Sequence, residues 1–105
     1  MERYAWKARV LPGKLEEYKR RHAAIWPEMV EVLKRAGISN YSIWNTGDEL
    51  FGYYECEKGA DYAVKYQNGN ETVQKWEEYM KDILIFENTG EGEAQPRLIE
   101  VFRMD

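Results

Sequence analysis

Apolar and polar residues alternate along the first segment of the chain, from Arg3 to Val10. One side of this segment is apolar, and it is formed by Tyr4, Trp6, Ala8 and Val10. The intervening positions are mostly basic. A period of two residues predicts a half-buried β-strand, which Leu11-Pro12-Gly13 ends.

The next pattern is helical, and it runs from Lys14 to Trp26. Pro27 cannot donate a backbone hydrogen bond and disfavours helical geometry for the residue before it. We therefore predict a break between Trp26 and Pro27. A second helix is predicted from Pro27 to Ala36, with Pro27 at an early helical position and Gly37 as the stop.

The rest of the chain divides into segments of strand and helix character. Two strands around a tight turn predict an antiparallel hairpin, with the strands at Ile38–Asn45 and Glu49–Glu57. Two helices, a polar glycine-bearing loop and a last strand follow, at Ala60–Tyr66, Glu71–Ile83, Asn88–Glu93 and Arg97–Met104. We expect the loop to be mobile.

This order of elements is strand, helix, strand, strand, helix, strand. It predicts a single α+β domain over residues 1–105, with the ferredoxin-like βαββαβ arrangement and helices on one face of the sheet. The strands carry aromatic residues on both sides, so an uncovered face would be a large apolar patch. A second copy packing sheet to sheet is the simplest cover, and we expect a symmetric homodimer.

Composition and charge remove several classes of function. The net charge is −4 with both signs mixed and no basic patch, which argues against nucleic acid as a partner. No apolar run is long enough to cross a bilayer. Cys56 is the single cysteine, so no internal disulfide can form, and we expect a cytoplasmic protein. One histidine and one cysteine cannot build a zinc cluster, and no glycine-rich phosphate loop is present, so we expect no cofactor.

The one histidine, His22, lies on the apolar stripe of the first predicted helix. Residues four apart share a helix face, so Tyr18 should stack under His22 and His22 under Trp26. The run Lys19-Arg20-Arg21 should form a solvated face. A titratable group on an apolar face needs a partner or a function. Judged alone, His22 is more often structural, and so are single aromatic residues on such a stripe.

The chain resembles the L-rhamnose mutarotase family along nearly its whole length. The resemblance rests first on Glu17-Tyr18-Lys19-Arg20-Arg21-His22 followed by Ile25-Trp26-Pro27-Glu28. It continues in Asn40-Tyr41-Ser42-Ile43, Lys75-Trp76, Tyr79-Met80, Asp82 and Glu100-Val101-Phe102. It implies a ferredoxin-like fold in a dimeric α/β-barrel assembly. It also implies an isomerase of carbohydrate and rhamnose metabolism that interconverts the anomers of a 6-deoxy sugar. It implies His22 as proton donor, with sugar contacts from Tyr18, Tyr41 and Trp76.

One position departs from the family pattern, which has a tryptophan pair where this chain has Trp76 and Glu77. If both positions line the sugar pocket, one indole wall is replaced by a carboxylate and the preferred sugar changes. Glu77 is therefore counted with the candidate substrate-binding residues. The competing interpretation is that Glu77 points to solvent beside an inward Trp76.

The chemistry of mutarotation suits these residues. Ring opening removes a proton from the anomeric hydroxyl and delivers one to the ring oxygen, and an imidazole can do either near neutral pH. The group that partners His22 as a base is left open between a tyrosine, a carboxylate and water. Two other classes of function also remain: a small-molecule monooxygenase or haem-handling protein on the same dimeric scaffold, and a non-catalytic ligand-binding protein.

Overall fold

The computed structural model describes residues 1–85 and 97–104. Helices and strands follow one another along these residues as β1 (Glu2–Val10), α1 (Leu15–Ala23), α2 (Pro27–Arg35), β2 (Ile38–Thr46), β3 (Glu49–Cys56), α3 (Ala60–Asn68), α4 (Glu71–Met80), β4 (Leu84–Ile85) and β5 (Arg97–Leu98). The α+β class matches the prediction, and each helical region is divided into two helices as expected. The short strand β4 is an addition, because the sequence pattern predicts no strand between the last helix and Arg97.

The strands form one antiparallel sheet in the order β2-β3-β1-β4, and β5 also pairs with β1. Strand β1 lies in the middle. Its pairing with β3 runs from Glu2 opposite Cys56 to Arg9 opposite Glu49. Two short strands pair with different parts of its other edge. Strand β5 pairs with Ala5 and Trp6, and β4 pairs with Arg9 and Val10.

The alternation of β1 sets which face of the sheet is covered. The four residues of its apolar side are all buried, namely Tyr4, Trp6, Ala8 and Val10. Strand β3 adds Leu50, Tyr54 and Cys56 to the same core, and the helices add Tyr18, Met29, Val32, Ala63, Val73, Trp76 and Met80. We call this the inner face of the sheet and the opposite side the outer face.

A close approach between β1 and β3 shapes the inner face. Trp6 pairs with Gly52, and a Cβ atom at Gly52 would lie only 2.0 Å from the indole ring of Trp6. The strand therefore needs glycine here, so that the indole can lie flat across its neighbour. The same indole donates a hydrogen bond from Nε1 to the Tyr41 Oη at 2.9 Å, which ties β2 to the inner face.

Two local features of the backbone follow from single residues. Trp26 is extended at the N-terminus of α2 and Pro27 is the first helical residue, so the predicted break is confirmed, although α1 already ends at Ala23. Gly37 adopts φ +82° beyond the end of α2, the left-handed conformation that glycine favours. Strand β2 contains a bulge between Ser39 and Ser42, with Asn40 at φ 50°.

The end of the chain differs from the prediction. The expected last strand from Arg97 to Met104 is wrong beyond Leu98, because only Arg97 and Leu98 pair with β1. Residues 99–104 have no regular secondary structure. Their apolar side chains stay outside the core formed by the described residues, since the exposed fraction is at least 80% for each of Ile99, Val101, Phe102 and Met104. The predicted loop at 88–93 lies outside the described residues.

Candidate active site

A cavity of about 570 Å³ lies between the inner face of the sheet and the helices. This volume is in the usual range for a small-molecule site. Its walls include every candidate site residue from the sequence, namely Tyr18, His22, Tyr41, Trp76 and Glu77. Helix α1, strand β2 and helix α4 supply these side chains, so the fold gathers residues that are up to 59 positions apart in the chain.

The imidazole of His22 lies between two aromatic rings. The Tyr18 ring stacks on it with 4.2 Å between ring centroids, as the four-residue spacing predicted. On its other side, the Trp76 ring meets it edge-on at 5.5 Å. The expectation that Trp26 would stack over His22 is wrong, because α1 ends at Ala23 and Trp26 belongs to the next helix start. Trp26 packs edge-on against Trp76 at 5.0 Å instead.

The hydrogen bonding of His22 indicates which ring nitrogen faces a ligand. Its Nδ1 lies 3.2 Å from the backbone carbonyl oxygen of Tyr18. A carbonyl oxygen only accepts, so Nδ1 carries the hydrogen and Nε2 is left for the cavity. Burial lowers the pKa of His22, and the bond to the Tyr18 carbonyl opposes this shift in part. An imidazole in this position can act as a general acid or a general base.

The two tyrosines offer hydroxyl groups that stay protonated. Tyr18 is buried, and burial raises its pKa above the usual range. Burial of the Tyr41 hydroxyl does the same, although the rest of its side chain is partly exposed. Because Tyr41 Oη accepts its hydrogen bond from Trp6, its own proton is available for donation to a ligand.

The structure decides between the two interpretations of Glu77. The interpretation that it points to solvent is wrong, since it is half-buried and lines the cavity. Trp76 and Glu77 of helix α4 both line the cavity, while Glu78 is exposed. Burial raises the pKa of the Glu77 carboxyl.

One residue of the basic run of α1, Arg21, differs from the predicted solvated face, whereas Lys19 and Arg20 are exposed as expected. Arg21 has only 10% of its side chain exposed. It donates hydrogen bonds to Glu17, to Asp82 and to the backbone carbonyl of Tyr79, and its guanidinium lies 4.5 Å from the Tyr79 ring centroid. Arg21 therefore fastens α1 to the end of α4, the two helices that carry His22 and Trp76. Sequence periodicity cannot show this, because Asp82 is 61 residues away.

The sequence profile of the L-rhamnose mutarotase family matches residues 3–104. The chain belongs to this family. Among curated L-rhamnose mutarotases, the protein of Sinorhizobium fredii is 40% identical over 105 residues, covering 91% of this chain and 92% of the relative. That of Listeria monocytogenes is 46% identical over 86 residues, covering 80% and 81%.

A solved structure of the same family has the same fold. The crystal structure of L-rhamnose mutarotase FA22100 from Formosa agariphila superposes with a TM-score of 0.82 at 33% identity, and the match covers 100% of both chains. The ferredoxin-like arrangement expected from the sequence therefore agrees with that of a solved L-rhamnose mutarotase.

The donor set of this family member is that of a site for a neutral, hydroxyl-rich ligand. Among the described residues, no group of three or more His, Cys, Asp or Glu side chains could hold a metal ion. No helix within the described ranges is long and apolar enough to cross a membrane. The cavity instead combines aromatic faces, which pack against C–H groups, with hydroxyl, imidazole and carboxylate groups that bind hydroxyls.

Proposed function

We propose that this chain interconverts the α and β anomers of L-rhamnose or a related 6-deoxy sugar, with His22 as proton donor. Tyr18, Tyr41, Trp76 and Glu77 are the sugar contacts in this proposal. The observation that carries it is the placement of His22, which lies between Tyr18 and Trp76 on the wall of a cavity of about 570 Å³. Membership of a carbohydrate isomerase family supports the reaction type.

The reaction needs two proton movements and no covalent intermediate. His22 in its imidazolium form donates from Nε2 to the ring oxygen. The bond between that oxygen and the anomeric carbon breaks while a second group, a side chain or water, takes the proton of the anomeric hydroxyl. The open-chain aldehyde then rotates about its C1–C2 bond and closes on the other carbonyl face. The phenols of Tyr18 and Tyr41 orient the sugar through hydrogen bonds, and the Trp76 face packs against its C–H groups.

Anomeric-exchange NMR tests the function directly. Exchange between the two anomeric signals is measured for L-rhamnose, L-fucose and a uronic sugar, with and without the protein. We expect L-rhamnose or another 6-deoxy sugar to exchange faster with the protein at catalytic concentration. Exchange at the buffer rate for every sugar would contradict the proposal.

A second measurement concerns cofactors. The proposed mechanism uses only side chains of this chain, so we expect anomeric exchange to persist after dialysis against a chelator and without any nucleotide. A loss of rate that a divalent ion restores would contradict this part of the proposal. Absence of a Soret absorption band in the purified protein would likewise separate this function from a haem-handling one.

We also propose that the protein is a homodimer formed through the outer face of the sheet. This face carries a groove between β1, β3 and the C-terminal segment, with Tyr53, Leu98 and Phe102 among its walls. Trp44 of β2 adds an indole that is 69% exposed. Apolar groups of this size favour a covering partner. Light scattering should give twice the chain mass, and a monomer at micromolar concentration would contradict the proposal.

The cellular location is proposed to be the cytoplasm. Cys56 is buried and free, as suits a reducing compartment. Fractionation of cells that express the protein, followed by immunoblotting, measures this. Recovery of the protein outside the cytoplasmic fraction would contradict it.

A further inference from the structure

The carboxylate of Glu77 has no partner within the described residues. It lines the cavity from α4, yet it forms no hydrogen bond and no ion pair there. Lys81 lies one helical turn further on, in a position to pair with it, but the Lys81 ammonium contacts Glu78 instead at 3.3 Å. A half-buried carboxylate without a partner is costly, and it is satisfied by a ligand that carries a donor.

Most acidic side chains of the surrounding helices are paired. Glu16 contacts Lys19, Glu71 contacts Lys75, and Asp82 contacts Arg21. These carboxylates lie on the surface and form ion pairs there. Glu77 differs from them in both respects, because it faces the cavity and remains available there.

The remaining titratable groups of the cavity are poor candidates for the second proton transfer. Tyr18 and Tyr41 keep their protons, since burial raises both pKa values. Lys19 is a mostly exposed cation held near Glu16 at 3.6 Å. Among the described residues that line the cavity, His22 and Glu77 are the two groups left to exchange protons with a sugar.

We propose that Glu77 is the second proton-transfer group of this active site and acts on the anomeric hydroxyl while His22 acts on the ring oxygen. The proposal rests on the mutarotase activity proposed above. It assigns a catalytic role that the family pattern does not supply, since that pattern has a tryptophan at this position. Of the three candidates for the base that partners His22, namely a tyrosine, a carboxylate and water, this proposal selects the carboxylate.

The proton balance closes without any added reactant. The Glu77 carboxylate takes the proton of the anomeric hydroxyl, the C1=O double bond forms, and the bond from C1 to the ring oxygen breaks. The ring oxygen takes the proton of the His22 imidazolium. Ring closure reverses both transfers on the other face of the carbonyl, so the two side chains return to their starting states.

The pKa shifts of Glu77 and His22 are in directions that favour proton transfer by both side chains. Burial raises the pKa of Glu77 and lowers that of His22, which brings the two values closer to each other. The rate should fall in acid as Glu77 is protonated, and in base as His22 loses its proton. Besides His22, the titratable groups that line the cavity with Glu77 are Tyr18 and Lys19 from α1 and Tyr41 from β2. Burial keeps both phenols protonated, and Lys19 is paired with Glu16.

The decisive variant is Glu77→Gln, which keeps the size of the side chain and removes its proton transfer. We expect kcat for L-rhamnose anomer exchange to fall by about a hundredfold, KM to change less than threefold, and the acid limb of the pH profile to disappear. Added formate should restore rate to Glu77→Ala. The matched control is Glu71→Gln, which alters an exposed carboxylate of the same helix that is paired with Lys75 and should leave the rate and the pH profile unchanged.

Several outcomes would overturn the assignment. It is wrong if Glu77→Gln folds, as its circular dichroism and melting temperature show, and its kcat falls less than tenfold. It is also wrong if KM alone rises, which would make Glu77 a binding group, or if the acid limb persists. A parent protein with no activity on any sugar would instead contradict the proposed function, so the two failures are distinguishable.

Discussion

The two faces of the sheet are formed by alternate residues of the same strands, and they have different surroundings. On the inner face, Trp6 and Tyr54 lie under the helices, and the Trp6 indole is bonded to Tyr41 on the wall of the cavity. On the outer face, Lys7 and Arg9 lie 3.6 and 3.9 Å from Glu49 in exposed ion pairs. Such pairs contribute little to stability. The inner face therefore packs against the core and the cavity, whereas the outer face is the side on which we propose that a second copy binds.

The register of the strands determines which side chains lie on the inner face and which lie on the outer face. A shift of one residue would exchange every inner side chain for an outer one. The pairing of Trp6 with Gly52 opposes such a shift, because no other position of β3 lacks a side chain. Variants that act on one face and spare the other therefore test this comparison.

The largest effect is expected for His22→Asn, in the cavity between the inner face and the helices. Asparagine keeps a polar side chain but cannot shuttle the proton, so anomer exchange should slow by at least about a hundredfold, or about 3 kcal/mol of barrier. NMR exchange rates measure this, and sugar titrations with the same variant should show that binding persists. A His22→Asn protein that folds, binds sugar and turns over at the parent rate would make His22 structural.

The next effect is expected for Gly52→Ala, which tests the packing of the inner face. The added Cβ would lie 2.0 Å from the Trp6 ring, and overpacking of this kind costs about 1 to 3 kcal/mol. Urea unfolding followed by tryptophan fluorescence measures the loss. Gly69→Ala is the control, because its new Cβ would meet only one atom, at an ordinary 3.6 Å. Equal stability of the two variants would contradict the proposed need for glycine at position 52.

Much of the fold could be predicted because its signals are local. The alternation of β1, Pro27 at the start of α2 and Gly37 at its end are each set by neighbouring residues. The bulge at Asn40 and the contact of Trp6 with Gly52 depend on how distant strands align, which no local pattern contains. The strand beyond Leu98 was overpredicted for a related reason, since alternation alone does not supply a neighbouring strand to pair with.

The candidate site also contains some features that follow from local sequence and others that depend on how distant elements pack. The stacking of Tyr18 on His22 follows from their spacing on one helix, and the sequence predicted it. The place of Trp26 depended on where α1 ends, and the inward position of Glu77 depended on how α4 packs. Arg21 was interpreted as a surface residue because its partner Asp82 lies far along the chain.

A smaller effect is expected for Tyr18→Phe. The ring still stacks on His22, and only the hydroxyl is lost. Because that hydroxyl forms no hydrogen bond within the described residues, its removal should affect the sugar complex rather than the fold. We expect weaker sugar binding by about 0.5 to 1.5 kcal/mol, the usual contribution of one hydrogen bond. Calorimetric titration with L-rhamnose measures it, and an unchanged affinity would remove Tyr18 from the sugar contacts.

The smallest effect on the fold is expected for Phe102→Asp on the outer face. Phe102 is 80% exposed, so the free energy of unfolding of a single chain should change by no more than about 0.5 kcal/mol. The proposed dimer would nevertheless bury this ring, and an unpaired carboxylate at such an interface is costly. Light scattering should therefore show a shift from dimer to monomer at micromolar concentration, while circular dichroism stays the same. Glu100→Gln is the control, since it removes a charge from the same segment without placing one in an apolar contact. A Phe102→Asp protein that remains dimeric would show that the partner covers a different part of the outer face.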